Sequence, residues 1–271
     1  MMLIVFGLVS LFLFWAGAAL GSFLNVVIYR TMTEESWVTG RSKCDHCGKQ
    51  IAWYDNIPLL SFLILRGRCR RCHKPISIIH PVVESLTGIL FVWWYWVGFI
   101  FFQLTQHPLQ TLQPLFWLLV GVLLLVIFFA DLLYMLIPDV IVGLLLLMTI
   151  CYRLALVLFG AMQLPDLLWS VGGAVLAGAL FGGLWWITKG KGMGFGDVKF
   201  SVPMALLLGW PNIMVGIFLA FLIGALAGVS LIAGGRRRFG QVIPFGPFLV
   251  IATFITLVWG DSLVQWYVGL L

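Results

Sequence analysis

Long apolar runs separated by short polar connectors dominate the chain. The first extends from Leu3 to about Tyr29, and others follow near 81–102, 114–130, 138–159, 166–188, 198–210, 212–233 and 243–268. About 20 consecutive apolar residues cross a bilayer core as a helix. The pattern therefore predicts an all-α polytopic membrane protein with about eight transmembrane helices. The run 198–210 is short, and the turn "GWPN" marks its boundary with the next. A single extended polar segment, roughly Arg30 to His80, breaks the series. It divides the chain into a first helix (1–29), a polar module (30–80) and a seven-helix membrane domain (81–271).

Composition supports this reading. Of 271 residues, 62% are hydrophobic and 10% charged, which excludes a soluble domain that must cover its own surface with polar groups. The first run is too long for a signal peptide, has no basic residue before it and ends without a small-residue cleavage site, so it reads as a retained helix. The net charge of +6 comes from basic residues in short stretches between apolar runs, a topology signal rather than a nucleic-acid surface. Because nine of the sixteen Lys and Arg residues fall within 30–80, that segment is assigned to the cytoplasm and the N-terminus to the outside. Counting helices then puts "DLLYMLIPD", "KGKGMGFGDVK" and "GGRRRFGQ" in the cytoplasm. "FFQLTQHPLQTLQ" and "FGAMQLPD", which lack Lys and Arg, fall outside. Arg153, toward the outer end of its helix, is the one exception.

The polar module carries Cys44, Cys47, Cys69 and Cys72 in the pattern C-x2-C…C-x2-C. Each knuckle places two thiolates close enough for one metal ion, and two knuckles complete a tetrahedral Zn2+ site. On the reducing side of the membrane, metal ligation is preferred to disulfides. Unligated structural or redox cysteines are the alternative. A closed four-sulfur shell makes the metal structural rather than catalytic, with His46 and His73 as spare donors. The segment between the knuckles is too short for a core of its own, so metal would staple it. Cys151 reads as a small hydrophobe packed in its helix.

Ionisable groups at membrane depth are costly and mark function. Asp131, Asp139 and Asp197 all fall at predicted cytoplasmic helix ends. Asp139 follows Pro138 at a helix start, where a carboxylate suits a cap. Asp131 closes a helix, where negative charge is unfavourable. Asp197 ends "GMGFGD", whose glycines at 192, 194 and 196 allow positive φ and close approach of another chain. The phosphate-loop ending is missing, and an acid would repel phosphate. Two such carboxylates can form an aspartyl dyad sharing one proton, one drawing a proton from water and the other polarising the scissile carbonyl. Either could be the base.

The ordered set "GSFLNVVIYR", the paired knuckles around "WYDNIPLLSFLILRGR", "PVVES", "DLLYMLIPD", "GMGFGDVK" and "IPFGP" resembles the bacterial type IV prepilin peptidases over almost the whole chain. These are bifunctional leader peptidases and N-methyltransferases of the GxGD class of membrane aspartic proteases. The resemblance implies Asp131 and Asp197 as the catalytic pair. It implies cleavage of prepilins or pseudopilins at the cytoplasmic face of the inner membrane, after the Gly that ends a basic leader. It further implies methylation of the new N-terminal residue with S-adenosylmethionine. Gly67 and Arg68 match a place tied to methyl transfer, although the family often has Lys at the second. "IIHP" stands where "RYP" is frequent. A basic leader would find the acids Glu34, Glu35 and Glu84 nearby, the first two reading otherwise as a solvated surface.

Two rivals come from other classes: a transporter with a stapled loop, and a membrane scaffold. A transporter needs acids along a path across the bilayer. Here the candidates crowd one side, apart from Asp166 and Asp261 near helix ends.

Overall fold

The computed structural model describes residues 2–33, 35–36, 40–101, 112–235 and 241–270. The connectors 102–111 and 236–240, assigned above to the outer and cytoplasmic faces, lie outside the described residues, as does Glu34. The described chain is helical, with only isolated antiparallel bridges and no sheet. The helices are α1 (Met2–Met32), α2 (Leu60–Ile64), α3 (Ile79–Trp93), α4 (Leu112–Tyr134), α5 (Asp139–Leu158), α6 (Leu164–Ile187), α7 (Phe195–Leu208), α8 (Asn212–Ala233) and α9 (Gly246–Val268). Among the described residues, six are long and apolar enough to cross a membrane: α1, α4, α5, α6, α8 and α9. The other two predicted runs are also helical. One is α3, which continues in the wider π winding over Trp94–Phe101, and the other is the 14-residue α7. The chain divides into two compact units, Met1–Val122 and Leu123–Leu271.

In the first unit α1 packs along α3. Glycines make this possible. A Cβ added to Gly17 would lie 2.7 Å from the Thr87 carbonyl oxygen, and one added to Gly21 would lie 2.7 Å from Glu84 Cα. Two small residues four apart on one helix face let backbones meet closely, which in lipid supplies the attraction that hydrophobicity cannot. The polar module lies between these helices in sequence, and among its described residues α2 is the one helix of more than one turn between α1 and α3.

In the second unit α7 is the central element. Nine of its residues are buried, and α5, α6, α8 and α9 pack around it. At 1.5 Å per residue it is about 21 Å long, short of the ~30 Å hydrocarbon core. Its last carbonyls would therefore end where water is scarce. Arg153 of α5 meets them. Its guanidinium donates to the Leu206 and Leu207 carbonyl oxygens at 2.8 and 3.2 Å, and to Ser170 Oγ at 3.0 Å. Gly209, with φ of +75°, leaves the room: a Cβ there would fall 2.6 Å from the guanidinium. Arg153 departs from the charge rule because it is a helix cap, not a loop charge. Asp166 and Asp261 have structural partners too. Asp166 forms a capping box with Gln163, and Asp261 accepts from Asn212 at 2.8 Å. Cys151 departs from its expected packed position: its place on α5 turns it outward, and it is exposed.

Candidate active site and metal centre

The stretch "DLLYMLIPD" forms the last turn of α4, a reversal and the start of α5. Met135, in the left-handed region at φ of 54°, ends α4, and Pro138 precedes α5. This hook leaves Asp131 on the last turn of α4, only 6% exposed. Asp197 lies in the first turn of α7 and is 5% exposed. The structure brings the two together, close enough for direct repulsion between their charges.

Backbone geometry offsets that repulsion. Asp131 Oδ2 accepts the Gly246 N–H at 2.8 Å, a buried contact at the start of α9. A carboxylate that would be unfavourable at the end of its own helix thus faces the positive end of another. Asp197 sits at the positive end of its own helix. Gly246 is required sterically, because a Cβ there would lie 2.7 Å from Asp131 Oδ2. The sequence singled out "IPFGP" without giving Gly246 this role. Pro247 at the helix start is the signal that a capping position precedes it.

The glycines before Asp197 act differently from expectation. Gly192, Gly194 and Gly196 do not take positive φ, whereas Lys189 and Gly190 do. The expected close approach is present: Ile137, in the hook after Asp131, presses on Gly196, where an added Cβ would meet Ile137 Cβ at 3.0 Å. Gly196 thereby lets the hook settle against the start of α7. Asp139 also corrects an expectation. It starts α5 but makes no side-chain cap; instead Oδ1 accepts from Lys199 Nζ of α7 at 2.6 Å. This ion pair ties the starts of α5 and α7 together.

The cysteine knuckles fold as a matched pair. In the first, Cys44 N–H donates to the Lys49 carbonyl and Gly48 turns at φ of +67°. In the second, Cys69 N–H donates to Lys74 and His73 turns at φ of 55°. The four sulfur atoms lie within 4.8 Å of one another. Cys44 and Cys72 Sγ are 3.8 Å apart, which matches the edge of a tetrahedron with Zn–S of about 2.3 Å. Backbone N–H groups of Cys72 and Arg71 hold the Cys69 thiol down at about 7, favouring the thiolate a metal needs. At Cys72 the Lys74 N–H lowers the pKa, but desolvation and the neighbouring thiols push it up to about 11. The donor set fits a tetrahedral metal ion, and His46 and His73 stand outside it.

Beside the knuckles is a cavity of about 670 Å3, bordered by Ser22, Asn25 and Tyr29 of α1, Tyr54 of the module and Glu84 of α3. Its size suits a cofactor-sized ligand, and its lining, four carboxylates among six Lys and Arg side chains, fits a polar ligand carrying charges of both signs. Glu35 lines it as well. Glu84 is 8% exposed, and its Oε2 accepts the Leu59 N–H at 2.8 Å, tethering the module to α3. Gly67 turns at φ of +68° under Phe62, and its carbonyl accepts from Ile76 at 2.7 Å. Arg68 bridges to Pro75. Both shape the base of the second knuckle, while the cavity wall nearby is Leu65, Cys69 and Arg70.

Comparisons with known proteins agree with this layout. The description "Bacterial Peptidase A24 N-terminal domain" matches residues 15–98, and "Type IV leader peptidase family" matches residues 117–229. The chain is similar to the "Prepilin leader peptidase/N-methyltransferase" of Aeromonas hydrophila, with 36% identity over 97% of this chain and 93% of the relative. Relatives of the same name in Legionella pneumophila and Pseudomonas aeruginosa are each 34% identical. The first covers 99% of this chain and 95% of the relative, and the second 93% and 90%. No solved structure matched the chain. Its six long apolar helices and these relatives make it a multi-pass membrane protein, and by full-length similarity the chain belongs to the type IV leader peptidase family.

Proposed function

We propose that the protein removes the basic leader from type IV prepilins or pseudopilins and then N-methylates the new N-terminal residue. The observation that carries the first half is the meeting of two buried carboxylates, Asp131 and Asp197, from the ends of different helices. Two carboxylates held close share one proton. The ionised member draws a proton from water, the water attacks the scissile carbonyl, and the protonated member donates to its oxygen. Gly246 N–H and the start of α7 hold the carboxylates in place without moving as charge shifts, which is the useful property of a preorganised site. Residues 81–271 carry this peptidase chemistry. The basic leader keeps the cut end on the cytoplasmic face by the charge rule that orients the enzyme, N-terminus outward. The protein's partners on this reading are its protein substrate and the inner-membrane bilayer.

The second half rests on the polar module 30–80. Its four thiolates hold a structural zinc ion, stapling a segment in which Ser61 is the only residue of α2 that is buried. S-adenosylmethionine supplies an electrophilic methyl group when bound. Asn25, Tyr29, Lys43 and Tyr54 line the cavity that would hold it, with Gly67 and Arg68 setting the shape of the knuckle behind. A transporter gains no support, since the outer acids are engaged in helix caps and hydrogen bonds. The test is direct: incubate purified protein with a prepilin peptide, with and without S-adenosylmethionine, and weigh the products. Cleavage in both and methylation in one is expected. An uncut peptide contradicts the first half.

A further inference from the structure

We propose that Glu84 receives the α-amine of the cleaved substrate and is the group that readies it for methyl transfer. This rests on the proposed methyltransferase reading and names the acceptor site within it.

Three observations converge on Glu84. It is a carboxylate 8% exposed, on the second turn of α3 below the polar module. It borders the cavity between α1, α3 and the cysteine knuckles. Among the described residues, the hydrogen-bond donor to its carboxylate is the neutral Leu59 N–H at 2.8 Å. A carboxylate offers about four acceptor sites, so capacity remains toward the cavity. A buried acid is costly unless it meets a cation. His80, whose charge acts on Glu84, sits one turn earlier on α3, is partly exposed and lies 3.9 Å from Asp45.

The depth suits an amine more than a soluble donor. Glu84 lies where two apolar helices give way to the polar module, packed so closely that an added Cβ at Gly21 would fall 2.7 Å from Glu84 Cα. An apolar segment freed of its leader exposes its new ammonium at that level, while a water-soluble donor enters from the module side.

The chemistry requires such a group. An ammonium has no lone pair, so it first gives a proton to the Glu84 carboxylate, which passes it to water in the cavity. The amine nitrogen then takes the methyl carbon, and the C–S bond breaks with its electron pair going to sulfur. Positive charge leaves the sulfonium and appears on nitrogen beside Glu84. The net products are a methylated ammonium, a neutral thioether and one proton. The carboxylate is thus more favourable to the transition state than to the neutral amine.

Glu84→Gln tests this while sparing the fold, since the amide oxygen can still accept the Leu59 N–H. The measurement is binding of a peptide with a mature apolar N-terminus, free or acetylated, to full-length protein saturated with S-adenosylhomocysteine. Wild type should prefer the free amine by about tenfold or more, the worth of one charge-assisted hydrogen bond. Glu84→Gln should bind both forms alike, keep its zinc and its S-adenosylhomocysteine, and lose most of the methylated fraction of cleaved product. A retained preference in Glu84→Gln overturns the proposal. If Glu84→Gln loses zinc, Glu84→Asp decides: a persisting preference supports the proposal, and its loss with zinc intact overturns it. Wild type that cleaves but transfers no methyl group overturns the methyltransferase reading and this inference with it.

Discussion

The residue that best shows how the site is built is Gly246. Its N–H holds Asp131 at 2.8 Å, and it has no side chain because the carboxylate occupies that space. Gly246→Ala would put a methyl group 2.7 Å from Oδ2 and 3.0 Å from Asp131 Cβ, so the contact is relieved only by turning the carboxylate out of place and shifting the helix that carries it. Cleavage should fall by more than about tenfold, a barrier rise of only about 1.4 kcal/mol, while the protein still inserts. A cleavage assay on membrane fractions normalised to protein content checks it. Asp139→Asn should be mild by contrast. The Asp139–Lys199 pair is short, but Asp139 is largely exposed, and such pairs contribute about 1 kcal/mol or less. Asp131 and Asp197 stood out in the sequence because a carboxylate at membrane depth has few purposes. The partners were not. Gly246 lies 115 residues beyond Asp131, and Lys199 lies 60 beyond Asp139. Local logic assigned Asp139 to its own helix end because a long-range ion pair leaves no local mark.

At the scale of elements, α7 and the knuckles are the two that depend on help. Arg153 closes the end of α7 inside the membrane. Arg153→Met keeps the length and removes the donors, leaving two carbonyls unsatisfied at about 1–3 kcal/mol each. The thermal midpoint and the amount of folded protein should drop, with cleavage per folded molecule close to wild type. Unchanged stability would show that water reaches those carbonyls. The sequence located this helix but flagged Arg153 only as an exception, since charge counting treats every basic residue as a loop signal. The clustering of the four cysteines was legible, because C-x2-C spacing encodes geometry locally. Their companion turns, Gly48 and His73, were not. Replacing Cys69 and Cys72 with Ser should abolish the expected stoichiometry of about one zinc per chain. It should lower methylation more steeply than cleavage, because the dyad stands on other segments. Metal analysis and the ratio of methylated to unmethylated product read both. Full zinc content would remove these ligands from the centre.

Across the whole molecule, hydrophobic periodicity predicted the order of helices closely, because the bilayer imposes a length that a linear pattern can reveal. What it could not reveal is that α7 is too short to span and is surrounded by its neighbours. A 14-residue apolar run reads the same whether lipid or protein covers it. That burial lets one polar helix start lie within an apolar domain, and it puts Asp197 where Asp131 can reach it. The account therefore stands on the two carboxylates acting as a unit. The most direct test is to mix membranes containing wild-type protein, Asp131→Asn or Asp197→Asn, matched for protein amount, with one prepilin and weigh the product. Wild type should yield the chain shortened by its leader, and each Asn variant should leave the prepilin intact. Near-normal cleavage by either variant would contradict the dyad.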